Sequence, residues 1–308
     1  MIFPGVGAFQ TAIEHLTARG LLEPLRRYID SGKPYFGICI GLQVLFASSS
    51  EAPSVQGLGI IPSRIERFDD TTKAVPHMGW NSALHVTEEK TFGMPEDAAY
   101  YFVHSYRARY DPAGDIAAWA HTVTQYGQEL FVSSVRRGHL FATQFHPEKS
   151  GMEGMHLLSR WLLTCVDNAT SDKQTRSVIS RSPQATDGFI RRVIACLDVR
   201  ANDEGDLVVT KGDQYDVHEK ASPESSPFTI KTKTAGAVRI LGKPIALAER
   251  YYAAGADEIC FLNITSFRSS PLQDQPMLAV VRAAAERIFV PLTIGGGIKV
   301  SCFKKHLH

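Results

Sequence analysis

One cysteine stands between two glycines in the segment GICIG (37–41), where an apolar run changes its period. A Gly-x-Cys-x-Gly at a strand-to-helix junction is typical of a nucleophile on a sharp turn, because the residues two positions to either side must be small for the strand and helix to approach. A helix beginning there would lower the pKa of the Cys39 thiol, and its free N–H groups would bind an oxyanion. The alternative is a small buried residue, the commoner fate of a lone cysteine.

A histidine and a glutamate occur together in the segment QFHPEKSG (144–151). His146 and Glu148 are two residues apart on an extended segment, so both side chains leave on one face. Glu148 can then orient the imidazole while His146 takes the thiol proton. A lone histidine is more often structural, but a His-Pro-Glu in the same domain as the Gly-x-Cys-x-Gly favours a Cys-His-Glu triad.

Two weaker features lie in the later part of the chain. Asp198 follows the apolar run RVIACL, and the glycines at 295–297 follow VPLTI. A carboxylate at the C-terminal end of a strand is placed as in barrel enzymes, and bare glycine N–H groups can wrap a phosphate. Taken alone, Asp198 is better explained as a loop cap and the glycines as a turn, so both interpretations stay open.

The elements that must position these residues fall into two blocks. Residues 1–166 alternate short apolar strands with helical stretches, and we expect an α/β domain whose mixed sheet is flanked by helices, with extra antiparallel strands between about 58 and 137. Predicted strands are 1–3, 34–38, 98–108 and 139–148; predicted helices are 11–32 and 154–166. The polar, aperiodic stretch 167–188 is interpreted as a linker.

The block 189–308 has a β-α-β-α-β rhythm typical of a parallel sheet or of the start of a (β/α) barrel. The predicted strands are 191–199, 257–265 and 290–298, and the predicted helices are 242–256 and 276–289.

Composition excludes several function classes. The chain has 308 residues, enough for about two domains, with 33 Lys plus Arg and 32 Asp plus Glu, so neither nucleic acid nor an anionic membrane is an expected partner. Five dispersed cysteines without a CxxC pair argue against a disulfide framework and a zinc site. We expect no metal, no cofactor, no membrane span and a reducing compartment.

The first block resembles the class I (triad) glutamine amidotransferases, most closely the glutaminase part of the imidazole glycerol phosphate synthase family. The segments that carry the resemblance are PGVGAF (4–9), GICIGLQVLF (37–46), HMGWN (77–81), YFVHSY (101–106) and QFHPEKSG. The resemblance implies that Cys39 attacks the carboxamide of glutamine and releases ammonia, with His146 as acid and base and Glu148 as its orienter. It further implies that Gly5, Val6 and Gly7 form an oxyanion strand. The implied glutamine site consists of Gln43, His104, Ser105 and Tyr106.

The second block resembles the cyclase part of the same synthases, which in fungi and plants are fused in this order. The matching segments are RVIACLDV (192–199), VVTKGDQYD (208–216), 241–267 and VPLTIGGGIK (290–299). The resemblance implies catalysis by Asp198 and binding of a phosphorylated ribonucleotide by Lys211, Gly296 and Gly297. Ammonia would pass from the thiol site into the barrel within one chain, and HMGWN is expected to face that path.

Departures from the family pattern limit these expectations. The family pattern has a further strand before PGVG, which this sequence lacks. The loop 221–240 and the residues after Lys299 do not resemble the corresponding segments of the family. Residues 191–308 number 118, whereas a (β/α) barrel takes about 250 residues. We therefore interpret the chain as truncated at both ends, with an incomplete (β/α)8 barrel and little cyclase activity of its own. The alternatives are a stand-alone triad glutaminase or hydrolase and a non-catalytic fragment. Localisation is expected to be cytoplasmic, or plastid for a plant protein, although no transit peptide is visible.

Overall fold

The computed structural model describes residues 1–86, 94–95, 97–166, 181–184, 191–201, 207–210, 240–264 and 275–296. The chain divides into two compact units, Met1–Arg191 and Arg192–His308. The predicted linker 167–188 lies outside the described residues except for 181–184. The unfamiliar loop 221–240, except Ile240, and the terminal segment after Lys299 lie outside them as well.

The first unit contains eleven strands among its described residues. They are β1 (Ile2–Phe3), β2 (Tyr35–Ile38), β3 (Phe46–Ser49), β4 (Ile61–Arg67), β5 (His77–Ser82), β6 (Leu84–His85), β7 (Ala99–His104), β8 (Tyr106–Arg107), β9 (Ala120–Tyr126), β10 (Glu129–Arg137) and β11 (Leu140–Thr143). The helices are α1 (Phe9–Ala18), α2 (Leu22–Asp30), α3 (Ile40–Gln43) and α4 (Gly151–Val166), with 3-10 turns at Asp115–Ala118 and Pro147–Lys149.

A six-stranded mixed sheet forms the centre of this unit, in the order β1-β2-β11-β10-β9-β6. The strands β1, β2 and β11 are parallel, whereas β10, β9 and β6 pair antiparallel. Two smaller sheets, β3-β4-β8 and β5-β7, complete the unit. The expected mixed α/β sheet and the extra antiparallel strands are confirmed.

The strand β2 ends one residue before Cys39 and is buried along its whole length. Successive side chains of a strand point to opposite faces. Accordingly Tyr35 packs in one hydrophobic cluster with Phe9 and Leu42, while Phe36 packs in a second cluster with Trp161. The strand β2 is therefore packed between two hydrophobic clusters, one on each face. This packing fixes the position of the turn at Cys39 that follows it.

Two predicted helices differ from the structure in their extent. The stretch 11–32 forms α1 and α2 rather than one helix, because Gly20 adopts a left-handed φ of +64° and ends the first. The helix expected from GLQVLFASS (41–49) is α3, four residues long, and Phe46–Ser49 is instead the strand β3, paired with β4. Tertiary pairing overrides the local helical pattern there.

The described part of the second unit is one five-stranded sheet with two helices. Its elements are β12 (Ile194–Ala201), β13 (Leu207–Thr210), β14 (Ile240–Gly242), α5 (Pro244–Ala253), β15 (Glu258–Asn263), α6 (Gln275–Ala285) and β16 (Leu292–Gly295). The strand order is β14-β13-β12-β15-β16, and β12, β15 and β16 are parallel. The predicted β-α-β-α-β succession is confirmed, and the described strands form an open sheet rather than a closed barrel.

Membrane-spanning and metal-binding features are absent from the described residues. No helix within these ranges has the length and apolarity that a membrane span needs. Nor do the described side chains bring three or more His, Cys, Asp or Glu residues together as metal ligands.

Candidate functional site

Cys39 sits in a strained backbone conformation directly after β2. Its φ is +53° and its ψ is −101°, and no other non-glycine residue in the described ranges has a positive φ. Such a conformation costs about 1–3 kcal/mol and persists only where the surroundings impose it. The N–H of Cys39 donates to the carbonyl of Thr143 on β11 at 2.7 Å, which ties the turn to the neighbouring strand.

The two glycines beside Cys39 are required by close backbone contacts. A Cβ on Gly37 would lie 2.4 Å from the carbonyl oxygen of Gly41, and a Cβ on Gly41 would lie 2.0 Å from the carbonyl oxygen of Phe3. Both distances are too short for any side chain, and the obstacles are backbone atoms. The segment GICIG therefore has the geometry of a nucleophile elbow, as the sequence predicted.

The environment of the thiol differs from the expectation in one respect. Burial raises the pKa of Cys39 to about 12, and this outweighs the N–H of Ile40, which lowers it. The expected low pKa is wrong for this structure, because α3 has only four residues and the thiol is nearly inaccessible. Cys39 therefore carries its proton at neutral pH, and its use as a nucleophile needs a base.

The predicted base lies just after the end of β11, in contact with its predicted carboxylate. His146 precedes the 3-10 turn Pro147–Lys149, and its Nδ1 lies 2.7 Å from Oε1 of Glu148. The Nε2 atom of His146 is buried and has no hydrogen-bond partner among the described residues. Since a carboxylate accepts, Nδ1 carries the hydrogen and Nε2 has a free lone pair. Glu148 is close enough to Cys39 to raise the pKa of the thiol.

Ser150 holds this turn against the neighbouring strand β7. Its Oγ donates to the carbonyl of His146 at 2.6 Å and accepts from the N–H of Tyr101 at 3.0 Å. The N–H of His146 in turn donates to the carbonyl of Tyr101 at 2.9 Å. Ser150 is not predictable from sequence, since a single serine after a His-Pro-Glu carries no distinctive signal.

The predicted oxyanion strand lies beside α3. The carbonyl of Gly5 accepts a long hydrogen bond of 3.4 Å from the N–H of Ile40, the donor that follows the nucleophile. Gly5 has a φ of +147° and Gly7 one of +151°, and the Val6 side chain is exposed. Both glycines thus use conformations that other residues rarely adopt, next to the elbow.

The predicted glutamine-binding residues are brought to one region around the carbonyl of Tyr106. Gln43 Nε2 donates to this carbonyl at 3.2 Å, and His104 contacts the same atom through Nδ1 at 2.8 Å. Ser105 lies between β7 and β8, and its carbonyl accepts from the N–H of Phe68. Both ring nitrogens of His104 are engaged inside the protein, because Nε2 lies 3.2 Å from Nδ1 of His77.

Gln144 is a site residue that sequence reasoning missed. Its Nε2 donates to Sγ of Cys39 at 3.5 Å, and its Oε1 accepts from Gln43 Nε2 at 3.0 Å. The signal for it lay in the parallel pairing of β2 with β11, which sets Ile38 opposite Thr143 and so brings the next residue of each strand together.

In the second unit, Asp198 and Gly296 lie at the same end of the parallel strands. Asp198 pairs with Leu262 on β15, which pairs with Gly295 at the end of β16, so Asp198 and Gly296 are about 10 Å apart by strand spacing. Gly296 has a φ of +91°, and a Cβ there would lie 2.2 Å from the carbonyl oxygen of Asn263. Lys211 and Gly297 lie outside the described residues.

Comparisons with known proteins match the two units of the chain to two different families. Residues 1–165 match the family model described as glutamine amidotransferase class-I, and residues 192–305 match the one described as histidine biosynthesis protein. The second match argues against a stand-alone triad hydrolase.

Several curated relatives are similar over nearly the whole chain. Imidazole glycerol phosphate synthase hisHF of Emericella nidulans is 49% identical over 308 residues, covering 97% of this chain and 53% of that protein. The chloroplastic hisHF synthase of Arabidopsis thaliana is 46% identical, covering 97% of this chain and 47% of that protein. The synthase subunit HisH of a Synechococcus strain is 46% identical over 167 residues, 53% of this chain and 74% of the subunit.

The chain thus spans about half the length of the fused relatives that it matches. Its match to the amidotransferase model covers more than half of its own residues, and it includes the elbow and the His-Pro-Glu turn. The chain belongs to the glutamine amidotransferase class-I family, and it continues into a segment of the histidine biosynthesis protein family.

Proposed function

We propose that the first unit hydrolyses glutamine and supplies ammonia to a cyclisation in histidine biosynthesis. The observation that carries the proposal is the strained elbow at Cys39, which shares one end of the central sheet with the His146–Glu148 pair. A thiol on such a turn, next to a base that is oriented by a carboxylate, supports acyl transfer through a covalent thioester.

The first chemical step transfers the thiol proton and forms a bond to carbon. His146 Nε2 takes the proton as Sγ attacks the carboxamide carbon of glutamine, and Glu148 stabilises the imidazolium through Nδ1–H. Collapse of the tetrahedral intermediate breaks the C–N bond, and His146 returns the proton to the leaving ammonia. Water then cleaves the γ-glutamyl thioester, giving glutamate and the free thiol.

The oxyanion and the substrate would be held by residues on either side of the elbow. The N–H of Ile40 and an N–H of the Gly5-Val6-Gly7 segment would stabilise the oxyanion, once the Gly5 carbonyl releases the Ile40 N–H. Gln43, Ser105 and Tyr106 would contact glutamine. His104 would act by holding the Tyr106 carbonyl, since both of its ring nitrogens are already engaged.

For the second unit we propose the cyclase role that its resemblance to the imidazole glycerol phosphate synthases implies, and the fused relatives carry that synthase name. Asp198 would act in the ammonia-dependent ring closure, and Lys211, Gly296 and Gly297 would bind phosphate. The substrate would be phosphoribulosyl-formimino-aminoimidazole carboxamide ribonucleotide, and the products imidazole glycerol phosphate and an aminoimidazole ribonucleotide. The 308-residue polypeptide by itself should show little cyclase activity, because its described strands form an open sheet whereas a barrel closes with eight.

We also propose a cellular setting for the protein. Cys39, Cys165, Cys196 and Cys260 are all free, which fits a reducing compartment, and we propose the cytoplasm. One fused relative is chloroplastic by name, and a plant source would place the protein in the plastid.

Glutamate release by the purified chain tests the glutaminase proposal. We expect slow hydrolysis of glutamine with equal amounts of glutamate and ammonia, and loss of both with Cys39→Ala. Cys165→Ala, in the same unit but on α4, is the matched control and should retain the activity. Equal hydrolysis by wild type and Cys39→Ala would overturn the assignment. Production of imidazole glycerol phosphate at full turnover by this polypeptide would refute the expectation for the second unit.

A further inference from the structure

Gln144 contacts the sulfur of Cys39, although the triad chemistry does not use it. Its side chain is fully buried, and its Nε2 donates to Sγ at 3.5 Å. The contact is built into the sheet, because the parallel register of β2 and β11 continues from the pair Ile38 and Thr143 to Cys39 and Gln144. A change in either strand would move the nucleophile and this amide together.

The orientation of the Gln144 amide is fixed by a second amide. Gln43 Nε2 lies 3.2 Å from the carbonyl of Tyr106 and 3.0 Å from Oε1 of Gln144. A carbonyl oxygen only accepts hydrogen bonds, so the NH₂ group of Gln43 must face both atoms. Gln144 consequently presents its oxygen to Gln43 and its NH₂ group to the sulfur. An N–H directed at sulfur stabilises the thiolate more than the thiol.

The Tyr106 carbonyl is itself held by a buried pair of histidines. His104 Nδ1 lies 2.8 Å from this carbonyl and so carries a hydrogen, while burial lowers the pKa of His104 to about 3 and keeps the ring neutral. Its Nε2 therefore accepts from Nδ1 of His77 at 3.2 Å, and Nε2 of His77 accepts from Asn81 Nδ2 at 3.3 Å. Burial also lowers the pKa of His77, to about 2. The donor and the acceptor are thus assigned for each hydrogen bond from Asn81 through the two histidines to the carbonyl of Tyr106.

We propose that Gln144 is a positioning residue of the glutaminase site, where its amide holds the Cys39 sulfur and stabilises the thiolate while His146 removes the proton. The Gln43–Tyr106 contact keeps this amide turned toward the sulfur. Gln43 also belongs to the proposed glutamine site, so a substrate that engages Gln43 acts on the nucleophile through a single amide. The catalytic meaning rests on the proposed function, whereas the effect on the thiol does not.

Alkylation of Cys39 measures the thiolate without requiring any turnover. Gln144→Met keeps the length of the side chain and removes the donor. Iodoacetamide would be applied at a series of pH values from about 7 to 10, with the labelled peptide identified by mass spectrometry; below the thiol pKa the rate follows the thiolate fraction. We expect Gln144→Met to be about tenfold slower at each pH, since the loss of one charge-assisted hydrogen bond corresponds to about one pKa unit. Glu148 and Lys149 also act on this thiol and are unchanged in the variant.

A second variant separates the relay from general damage. Gln43→Met removes the group that orients Gln144 without touching the sulfur, and we expect slowed alkylation here as well. Gln125→Met is the matched control, because the buried Gln125 amide donates to the backbone carbonyls of Gly127 and Gln184, and alkylation should proceed at the wild-type rate.

The outcomes distinguish the two proposals. Wild-type alkylation rates in both Gln144→Met and Gln43→Met would overturn the inference. If Gln144→Met does not fold, the alkylation rate of Gln43→Met alone tests it. Slowed alkylation in a chain whose wild type hydrolyses no glutamine would support the contact and overturn only the glutaminase function. With an active wild type, we expect Gln144→Met to lower kcat about tenfold with little change in KM, because the amide acts on the nucleophile rather than on the substrate.

Discussion

The Nδ1 atom of His146 lies 2.7 Å from Oε1 of Glu148, and the Nε2 atom of the same ring is buried without a hydrogen-bond partner in the described part of the chain. The carboxylate thereby selects the tautomer in which the lone pair is on Nε2. A thiol whose pKa burial raises to about 12 stays protonated at neutral pH, so the proposed glutamine hydrolysis depends on this lone pair.

Exchange of Glu148 for glutamine should reverse the tautomer. In Glu148→Gln an amide N–H can face Nδ1, which would move the ring hydrogen to Nε2 and remove the base. We expect kcat for glutamine hydrolysis to fall by up to about 10⁴-fold, the scale known for the analogous change in a serine protease triad. Glu153→Gln, on the first turn of α4, is the control and should keep the wild-type rate. Unchanged turnover in Glu148→Gln would show that the carboxylate does not orient the base.

Packing of the elbow against β1 gives a second prediction. A Cβ on Gly41 would lie 2.0 Å from the carbonyl oxygen of Phe3, and backbone atoms cannot rotate away. We expect Gly41→Ala to lower the free energy of unfolding by about 1–3 kcal/mol, as overpacking does, and to abolish hydrolysis by displacing Cys39. Urea denaturation and the glutaminase assay measure the two effects.

Gly114→Ala is the control for that substitution. Its Cβ would meet only the exposed side chain of Asp111, at 3.1 Å, and its φ of −92° suits alanine. We expect a change within about 0.5 kcal/mol in the free energy of unfolding. Equal stability of Gly41→Ala and wild type would contradict the close contact with Phe3.

The elbow at Cys39 and the His146–Glu148 contact were predictable from sequence because each is local. Gly37, Cys39 and Gly41 lie within five residues, and His146 and Glu148 are two apart, so the turn geometry and the pairing are contained in the motifs themselves. Each motif depends only on neighbouring residues for its local conformation, and the structure contains both the turn at Cys39 and the His146–Glu148 contact.

The parts that were mispredicted or missed depend on distant segments. Phe46 lies in a strand rather than a helix because β3 pairs with β4, and the Cys39 thiol has a raised pKa because clusters from several elements bury it. Gln144 reaches the sulfur only through the register of β2 and β11, which are about a hundred residues apart in the chain. Register and burial are properties of the assembled sheet, and the sequence pattern near each residue does not contain them.

Alkaline pH should destabilise the first unit through its buried acids. Burial raises the pKa of Cys39 from 9.0 to about 12 and also raises the pKa values of Tyr35 and Tyr100, so the folded state keeps protons that the unfolded state releases. This stability is fully present below about pH 9 and is lost as the pH rises toward 12. Between its unfolded and folded pKa values, each such group lowers the free energy of unfolding by about 1.4 kcal/mol per pH unit.

Cys39→Ala isolates the contribution of the thiol. Between about pH 8.5 and 9.5 the tyrosines of the unfolded chain are still largely protonated, so the thiols dominate the slope there. Cys165 and Cys260 also have raised pKa values, which makes the wild-type slope composite. We expect urea denaturation at several pH values to give a shallower decline for Cys39→Ala than for wild type. Identical slopes would mean that the folded thiol ionises normally.

Ser150 links the base to β7, and its removal should affect both stability and turnover. Ser150→Ala removes both hydrogen bonds of the hydroxyl, and the carbonyl of His146 keeps only its bond from the N–H of Lys149, which should cost about 1–3 kcal/mol in the free energy of unfolding. The His-Pro-Glu turn is then free to shift, so kcat should fall more than KM changes. Ser31→Ala removes a hydroxyl-to-carbonyl bond of similar length at an exposed site and should change neither quantity appreciably. If Ser150→Ala lost stability but kept its full kcat, the serine would serve only the fold, and His146 would be positioned without it by Glu148, β11 and the carbonyl of Tyr101.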